Sequence, residues 1–319
     1  MGDPAPLYGV DEAPVPAGAS AEWFAGAGGA RLWAALLPAT GAARGSVVLS
    51  GGRTEPIEKY FEVAGELAGR GFTVLMHDWR GQGVSERLLP ERLKGHAGDY
   101  HDFLTDYAAL IAAFETRLPK PWVAMGHSMG GCLTALTIAK GEDRFAAAVL
   151  SAPMFGIFTP PLKPTTARLV AGLMAKVGLG ASLVAGAKLI APPAPFEDNV
   201  LTHDPARYAR NVQQILEHPD LALGPPTWGW LAFAFAATSE LQRGDGPPRV
   251  QTPVTVLAAG DDNLVDNAQL RLVTERFPHH SFEVIPGAYH EILQETDAIR
   301  AVFWRAFDAA TAGLSSQPA

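Results

Sequence analysis

The sequence predicts an α/β protein with a mostly parallel central sheet, helices on both faces and one inserted helical cap. Two observations predict it: short apolar runs alternate with segments of helical length, and this alternation is interrupted once before it resumes. Runs that are apolar at every position are typical of parallel strands covered on both faces, because a strand with one solvated face alternates instead. The helical segments between them supply the crossovers that parallel pairing requires.

The predicted elements begin with a hairpin. A lead-in rich in Pro, Ala and Gly occupies residues 1–20, and the strand-like segments 22–25 and 31–37 then flank the turn Gly26-Ala27-Gly28-Gly29. The apolar runs that predict the remaining strands are 46–49, 72–76, 122–125, 146–150, 254–258 and 282–285. The segments that predict the helices between and after them are 57–69, 99–117, 129–140, 266–276 and 293–312.

The interruption predicts a helical cap (lid) over residues 154–248, inserted into a core formed by 21–153 and 249–319. This stretch lacks strand signals, has helical patterns at 165–177 and 205–216, and is bracketed by proline pairs near both ends. Four aromatic residues stand close together within it and either pack in the cap's own core or line a ligand pocket. They are Trp228, Trp230, Phe233 and Phe235, of which the first three are candidate pocket residues.

Composition excludes several classes of function. The formal charge is −8 and no cluster of Lys and Arg is visible, which argues against nucleic acid as a partner. Cys132 is the only cysteine, so an internal disulfide framework and a cysteine zinc site are excluded, and a reducing compartment is favoured. The first residues lack a signal-peptide pattern, so we expect a cytoplasmic protein. The apolar stretches are too short to cross a bilayer, so we expect at most peripheral membrane contact.

Neither a metal nor a nucleotide cofactor is expected. Histidines and aspartates cluster between His96 and Asp106, but Asp99 to Asp106 lies at the start of a predicted helix, where carboxylates favour the positive end of the helix dipole. Helix capping therefore explains this cluster better than a metal site does. The chain also has no glycine-rich dinucleotide fingerprint after its first strand and no Walker sequence.

The pentapeptide Gly126-His127-Ser128-Met129-Gly130 follows the predicted strand 122–125 and opens the next predicted helix. A Gly-x-Ser-x-Gly match is weak by itself, but this strand, turn and helix setting holds a nucleophilic serine in a tight, exposed turn. The flanking glycines let the backbone turn sharply, and the helix N-terminus offers free N–H groups to an oxyanion. We therefore predict that Ser128 is a nucleophile.

A serine nucleophile needs a base and a carboxylate that orients the base. Among nine histidines, His290 alone follows a late strand and precedes the last helix, which makes it the candidate base. Asp261, Asp262 and Asp266 all follow the strand 254–258, and spacing does not choose between them. Asp266 also suits the N-cap of the predicted helix 266–276.

Four segments together resemble the monoacylglycerol lipase and bacterial lysophospholipase family of α/β-hydrolases, and the resemblance covers most of residues 45–305. The segments are GHSMGG at 126–131, DWRGQGVS at 78–85, DNLVDN at 262–267 and GAYHEIL at 287–293. The resemblance implies the α/β-hydrolase fold, with Ser128 as nucleophile, Asp262 as acid and His290 as base. It also implies that the backbone N–H groups of Arg53 and Met129 form the oxyanion hole, since Gly52-Arg53-Thr54-Glu55 matches the family's Gly-x-x-Glu.

The resemblance and the apolar cap together predict a serine hydrolase that cleaves the ester of a single-acyl-chain lipid through an acyl-enzyme. The expected substrate is a lysophospholipid or a monoacylglycerol. The alternative within this class is a carboxylesterase for short-chain or xenobiotic esters. A non-catalytic binding protein on the same fold is the alternative from another class, but such proteins commonly lack a member of the triad, and none is missing here.

Overall fold

The computed structural model describes residues 2–189 and 195–314. A single mixed sheet of nine strands crosses the described part of the chain in the spatial order β1-β2-β3-β5-β4-β6-β7-β8-β9. The strands are β1 Pro4–Ala5, β2 Ser20–Ala25, β3 Arg31–Leu37, β4 Gly45–Ser50, β5 Phe72–His77, β6 Trp122–His127, β7 Phe145–Ser151, β8 Val254–Ala259 and β9 His280–Ile285. Strands β4 to β9 pair in parallel, and β1, β2 and β3 extend one edge antiparallel.

The hairpin and the parallel sheet predicted from the sequence are both present. Every residue of β4, β5 and β6 is buried, which is why these strands carry apolar runs without alternation. The predicted strand boundaries differ from the observed ones by two residues at most. The two-residue strand β1 was not predicted, and it adds to the sheet edge from within the lead-in.

Helices cover the sheet, and three of them lie in the chain segment that connects β7 to β8. They are α1 Phe61–Gly69, α2 Tyr100–Phe114, α3 Ser128–Ala139, α4 Pro164–Lys176, α5 Pro205–Glu217, α6 Trp228–Arg243, α7 Asn267–Thr274 and α8 Asp297–Thr311. Ion pairs Arg300–Glu66 and Arg70–Asp308 join α1 to α8, while α2 and α3 pack on each other elsewhere. Asp99 accepts a hydrogen bond from the His101 N–H at the start of α2, so the predicted capping is observed.

Helices α4, α5 and α6 all lie in the insertion between β7 and β8. Helix α6 packs on α4 through Trp228 and Phe235, which contact Ala167 and Ala171. The sequence indicated aromatic residues at this place but not a helix. No helix of the described residues combines the length and the apolar character needed to cross a bilayer. Residues 190–194 of the predicted cap and 315–319 of the predicted core lie outside the described residues.

Candidate active site

Ser128 sits in a sharp turn where β6 ends and α3 begins. Its φ angle is +50°, a conformation that costs energy for a residue with a side chain. The flanking glycines are required by contact distance: a Cβ on Gly130 would lie 2.3 Å from the carbonyl oxygens of Ser50 and Gly51. A Cβ on Gly126 would lie 2.8 Å from the Gly131 backbone. The turn therefore lifts Ser128 to the carboxyl edge of the sheet at a helix N-terminus.

Ser128, His290 and Asp262 form a continuous hydrogen-bonded chain. The Ser128 Oγ lies 2.9 Å from His290 Nε2, and His290 Nδ1 lies 2.7 Å from Asp262 Oδ2. The other Asp262 oxygen accepts from the backbone N–H groups of Leu264 and Val265 at 2.8 and 3.0 Å. Burial disfavours the charged carboxylate, but the hydrogen bonds from His290 and from these N–H groups outweigh it and lower the pKa of Asp262. The arrangement holds an anion behind the imidazole.

Asp261 and Asp266, the other two aspartates considered for the acid, do not contact His290. Asp261 is exposed, and Asp266 caps α7 by accepting from the backbone N–H groups of Ala268 and Gln269. His127 lies beside the triad, with its ring 4.8 Å from that of His290, but its Nδ1 is 3.0 Å from the Ser151 carbonyl oxygen. Burial lowers the pKa of His127 to about 4, so its ring is neutral near pH 7.

The loop after β4 lies against the serine turn and is held from several sides. Trp79 Nε1 donates to the Gly51 carbonyl at 2.9 Å. The Gln82 side chain accepts a hydrogen bond from the Thr54 N–H at 3.1 Å and donates one to the Gly52 carbonyl at 3.0 Å. It therefore binds the residues on both sides of Arg53. The amide of Met129, in the first turn of α3, has no intrahelical acceptor by the geometry of a helix.

A buried cluster of charged side chains is hydrogen-bonded to this loop. Lys59 Nζ lies 2.8 Å from a Glu55 oxygen and 2.5 Å from a Glu291 oxygen. The second Glu55 oxygen accepts from Gly52 N–H at 2.5 Å and from the Tyr60 hydroxyl at 2.6 Å. Burial opposes the charge on Glu55, but Lys59 and these hydrogen bonds prevail and lower its pKa to about 2. Glu55 therefore stays ionised and fixes the loop through Gly52.

A cavity of about 820 Å³ opens beside Ser128 and His290. Trp228 and Trp230 both line it, and Trp228 also packs in the small cluster between α4 and α6. Phe233 lies outside this lining: it is 2% exposed and packs 4.7 Å from the Phe103 ring in the main core. The apolar side chains that line the cavity include Met154, Ile157, Phe158, Leu162, Ala167, Leu201, Leu231, Leu264 and Val265.

Residues 41–297 match the serine aminopeptidase S33 family of hydrolases. The chain belongs to this family. It is similar to lysophospholipase L2 of Escherichia coli K12, with 35% identity over 272 residues that cover 80% of this chain and 77% of the relative. It is also similar to human monoglyceride lipase, with 26% identity over 289 residues and 88% of each chain covered.

Solved structures show the same fold. A soluble variant of the Saccharomyces cerevisiae monoglyceride lipase, in complex with a substrate analog, superimposes with a TM-score of 0.74 at 20% identity. The alignment covers 98% of this chain and all of that chain. The chain therefore has the α/β-hydrolase fold, and the edge strand β1 of its nine-stranded sheet comes from the lead-in.

The sequence did not indicate that Lys59, Gln82 and Glu291 contact the loop and charge cluster beside the site. Gln82 stands within a segment that carried the resemblance, and Glu291 directly follows His290, but neither had been assigned a contact. Lys59 lies in the predicted helix 57–69, where a lysine ordinarily faces solvent. Each is buried here, at 7% exposure or less. Only the packing of distant segments reveals their part in the site.

Proposed function

We propose that the protein is a serine hydrolase that cleaves the carboxylic ester of a single-acyl-chain lipid, a lysophospholipid or a monoacylglycerol. The observation that carries this proposal is the hydrogen-bonded chain Ser128–His290–Asp262 at the wall of a large apolar cavity. Membership of a hydrolase family supports it, as do relatives that are named lysophospholipase and monoacylglycerol lipase.

In the proposed reaction, His290 Nε2 takes the Ser128 hydroxyl proton while Oγ attacks the ester carbonyl carbon. Asp262 holds the proton on Nδ1 and stabilises the imidazolium that forms. The backbone N–H groups of Arg53 and Met129 donate to the carbonyl oxygen as it becomes an oxyanion. His290 then gives its proton to the leaving alcohol. A water molecule, deprotonated by the same nitrogen, attacks the acyl-enzyme, and His290 returns that proton to Ser128 Oγ as the bond to the fatty acid breaks.

The apolar lining of the cavity supports an acyl chain as the group it accommodates. The insertion contributes Ile157, Phe158 and Leu162 to this lining. The loop that carries Asp262 contributes Leu264 and Val265. Burying an acyl chain against such side chains stabilises the complex by about 0.8 kcal/mol per methylene. Binding should therefore strengthen with chain length until the cavity is filled.

We propose that residues 154–248 act as a cap (lid) on a core of 21–153 and 249–319, and that α4 contacts a lipid surface. Leu169 and Leu173 on α4 are 75% and 60% exposed, and Val177 follows one turn later at 57%. Phe158 and Leu162, which precede α4 in the chain, are also exposed and line the cavity, so exposed apolar side chains occur both on α4 and at the cavity. Such a face suits peripheral contact with a bilayer or micelle, from which a lipid ester enters.

Three experiments test these proposals. A fluorophosphonate probe should label the wild type and leave Ser128→Ala unlabelled; equal labelling of both contradicts the proposed nucleophile. Ester hydrolysis should rise with acyl length from two to sixteen carbons, whereas a monotonic fall indicates a short-chain carboxylesterase instead. Leu169→Glu with Leu173→Glu should reduce sedimentation with phosphatidylcholine vesicles, and unchanged sedimentation contradicts the proposed docking face.

A further inference from the structure

The side chain of Arg53 is half-buried beside the proposed active site, and it has no acidic partner among the described residues. Its Nη2 donates to the Gly224 carbonyl, but its buried Nε has no hydrogen-bond partner, and Nη1 has none in the described part of the chain. Burial lowers the pKa of Arg53 to about 10, which leaves the guanidinium charged at neutral pH. A charge that is withdrawn from water without a counterion costs free energy, unless a ligand supplies the opposite charge.

Two other cations among the described residues have more partners than Arg53. Lys59 lies between Glu55 and Glu291, at 2.8 and 2.5 Å. Arg87 has no carboxylate partner either and its Nε is also without a hydrogen bond, but its Nη1 and Nη2 donate to four backbone carbonyls, those of Gly81, Gly83, Asp220 and Ala222. Arg53 differs from both because it also lines the cavity beside Ser128. Because Nη1 has no partner in the described part of the chain, it is the Arg53 donor left for a group that occupies this cavity.

The walls around Arg53 fix the guanidinium in place. A Cβ on Gly95 would lie 2.3 Å from Arg53 Nη2, so glycine makes room for the group. The Trp230 ring lies beneath it, with the Arg53 Cζ 5.2 Å from the ring centroid. The Gly95 N–H donates to the Pro225 carbonyl at 3.0 Å, which joins the two segments that enclose the group. The donors of the planar guanidinium are thus held ready for a second partner.

We propose that the Arg53 side chain binds the phosphate of a lysophospholipid head group, so that the enzyme prefers lysophospholipids to monoacylglycerols. This inference rests on the proposed function, because it takes the Arg53 backbone N–H as an oxyanion donor. In a lysophospholipid, about six bonds, or roughly 7 Å, separate the ester carbonyl carbon from the phosphorus atom. The Arg53 side chain spans about the same length from Cα to Cζ. One residue thus meets the carbonyl oxygen with its main chain and the phosphate with its side chain.

The chemistry of the guanidinium favours a phosphodiester. Its planar donors bind two phosphate oxygens at once, a geometry that an ammonium group does not reproduce. A monoacylglycerol offers only hydroxyl groups at the same place and leaves the charge without a counterion. The cost of that unpaired charge is what separates the two substrates.

The test compares Arg53→Met, Arg53→Lys and wild type on a lysophospholipid and a monoacylglycerol with the same acyl chain. The quantity measured is the ratio of the two kcat/KM values, in which any effect common to both substrates cancels. We expect Arg53→Met to lower the ratio by about 10- to 100-fold, as for a lost hydrogen bond to a charged group. Arg53→Lys should restore part of it, and most of the change should appear in KM for the lysophospholipid.

Arg87→Met is the matched control, because it removes a buried guanidinium that holds the neighbouring segment at Ala222 but does not line the cavity. It should leave the ratio unchanged. A ratio that Arg53→Met leaves intact, or that Arg87→Met lowers equally, overturns the role of Arg53. Wild type that hydrolyses neither lipid overturns the proposed function instead. In that case, inhibition of short-ester hydrolysis by glycerol 3-phosphate, compared in wild type and Arg53→Met, still tests phosphate binding.

Discussion

Substitution of Gln82 by leucine should reduce turnover without unfolding the protein, because Gln82 holds the loop that presents the Arg53 N–H. Its side chain is 4% exposed and makes two hydrogen bonds, to Thr54 N–H at 3.1 Å and to the Gly52 carbonyl at 3.0 Å. Leucine keeps the approximate volume and removes both. The Arg53 N–H then loses its restraint on either side while every triad residue stays in place.

The magnitude follows from the number of bonds lost. Each hydrogen bond is worth about 0.5–1.5 kcal/mol, so the loop loses roughly 1–3 kcal/mol of positioning free energy. At about 1.4 kcal/mol per factor of ten, kcat should fall about 10- to 100-fold. Loss of an entire oxyanion donor sets the upper bound, at about 10²- to 10³-fold. KM should change little, because the cavity wall that holds the acyl chain is untouched.

The assay is steady-state hydrolysis of a neutral ester together with the rate of fluorophosphonate labelling, since both reactions pass through a charged oxygen at the same site. Gln214→Leu is the matched control: Gln214 is also buried and its side chain donates to the Glu58 carbonyl at 2.9 Å, away from the loop. It should lower thermal stability by a similar amount and leave kcat unchanged. If Gln82→Leu keeps kcat within twofold of wild type, the Arg53 N–H is not an oxyanion donor.

Three further substitutions test other parts of the site. Asp262→Asn should lower kcat by about 10³- to 10⁴-fold with little change in unfolding temperature, because an amide does not hold the proton on His290 Nδ1; a loss below tenfold contradicts its role. Gly130→Ala should destabilise the fold by at least about 1–3 kcal/mol, because its Cβ meets two carbonyl oxygens at 2.3 Å, and unchanged chemical denaturation contradicts this. Burial raises the pKa of Asp78 to about 7, and burial beside Asp78 raises that of Glu58. A carboxyl group whose pKa is raised by folding stabilises the fold at pH values below its pKa in the unfolded state, and this stabilisation is lost as the pH rises to its pKa in the folded state. The free energy of unfolding should therefore fall between about pH 4 and 7, and Glu58→Gln should flatten that fall.

Strands and most helices were predictable because burial on both faces leaves a direct mark on the sequence. Every residue of β4, β5 and β6 is buried, and each run is apolar or small over most of its length. Helix α6 left no such mark. Its first half is apolar on all sides because it packs between α4 and the core helix α3, so the periodicity that identifies a surface helix is missing. The pattern showed burial there without showing a helix.

The triad was predictable in part. Ser128 and His290 each follow a strand in a local setting that few residues share, but Asp261 and Asp262 differ by one position in the same loop. That single step decides whether a carboxylate points outward or lies 2.7 Å from His290 Nδ1. The direction depends on how the loop is held by the backbone of Leu264 and Val265, which is a tertiary property. Only the resemblance to a known family selected Asp262 from the sequence.

The two halves of the insertion are held to the core in different ways, and this bears on which part of a substrate is recognised strictly. Helix α5 is fixed to α1, because Glu62 of α1 forms ion pairs with Arg207 at 2.6 Å and Arg210 at 2.8 Å. Within residues 2–189 and 195–314, no ion pair links α4 to the core; it packs on α6 through alanines and two aromatic rings. On one side of the cavity, Gly95 and Gly224 enclose the Arg53 side chain. The apolar wall, where an acyl chain is proposed to lie, includes Ala167 of α4. In the proposed binding mode, acyl chains of different length therefore meet the less tightly held wall, and the head group meets the fixed one.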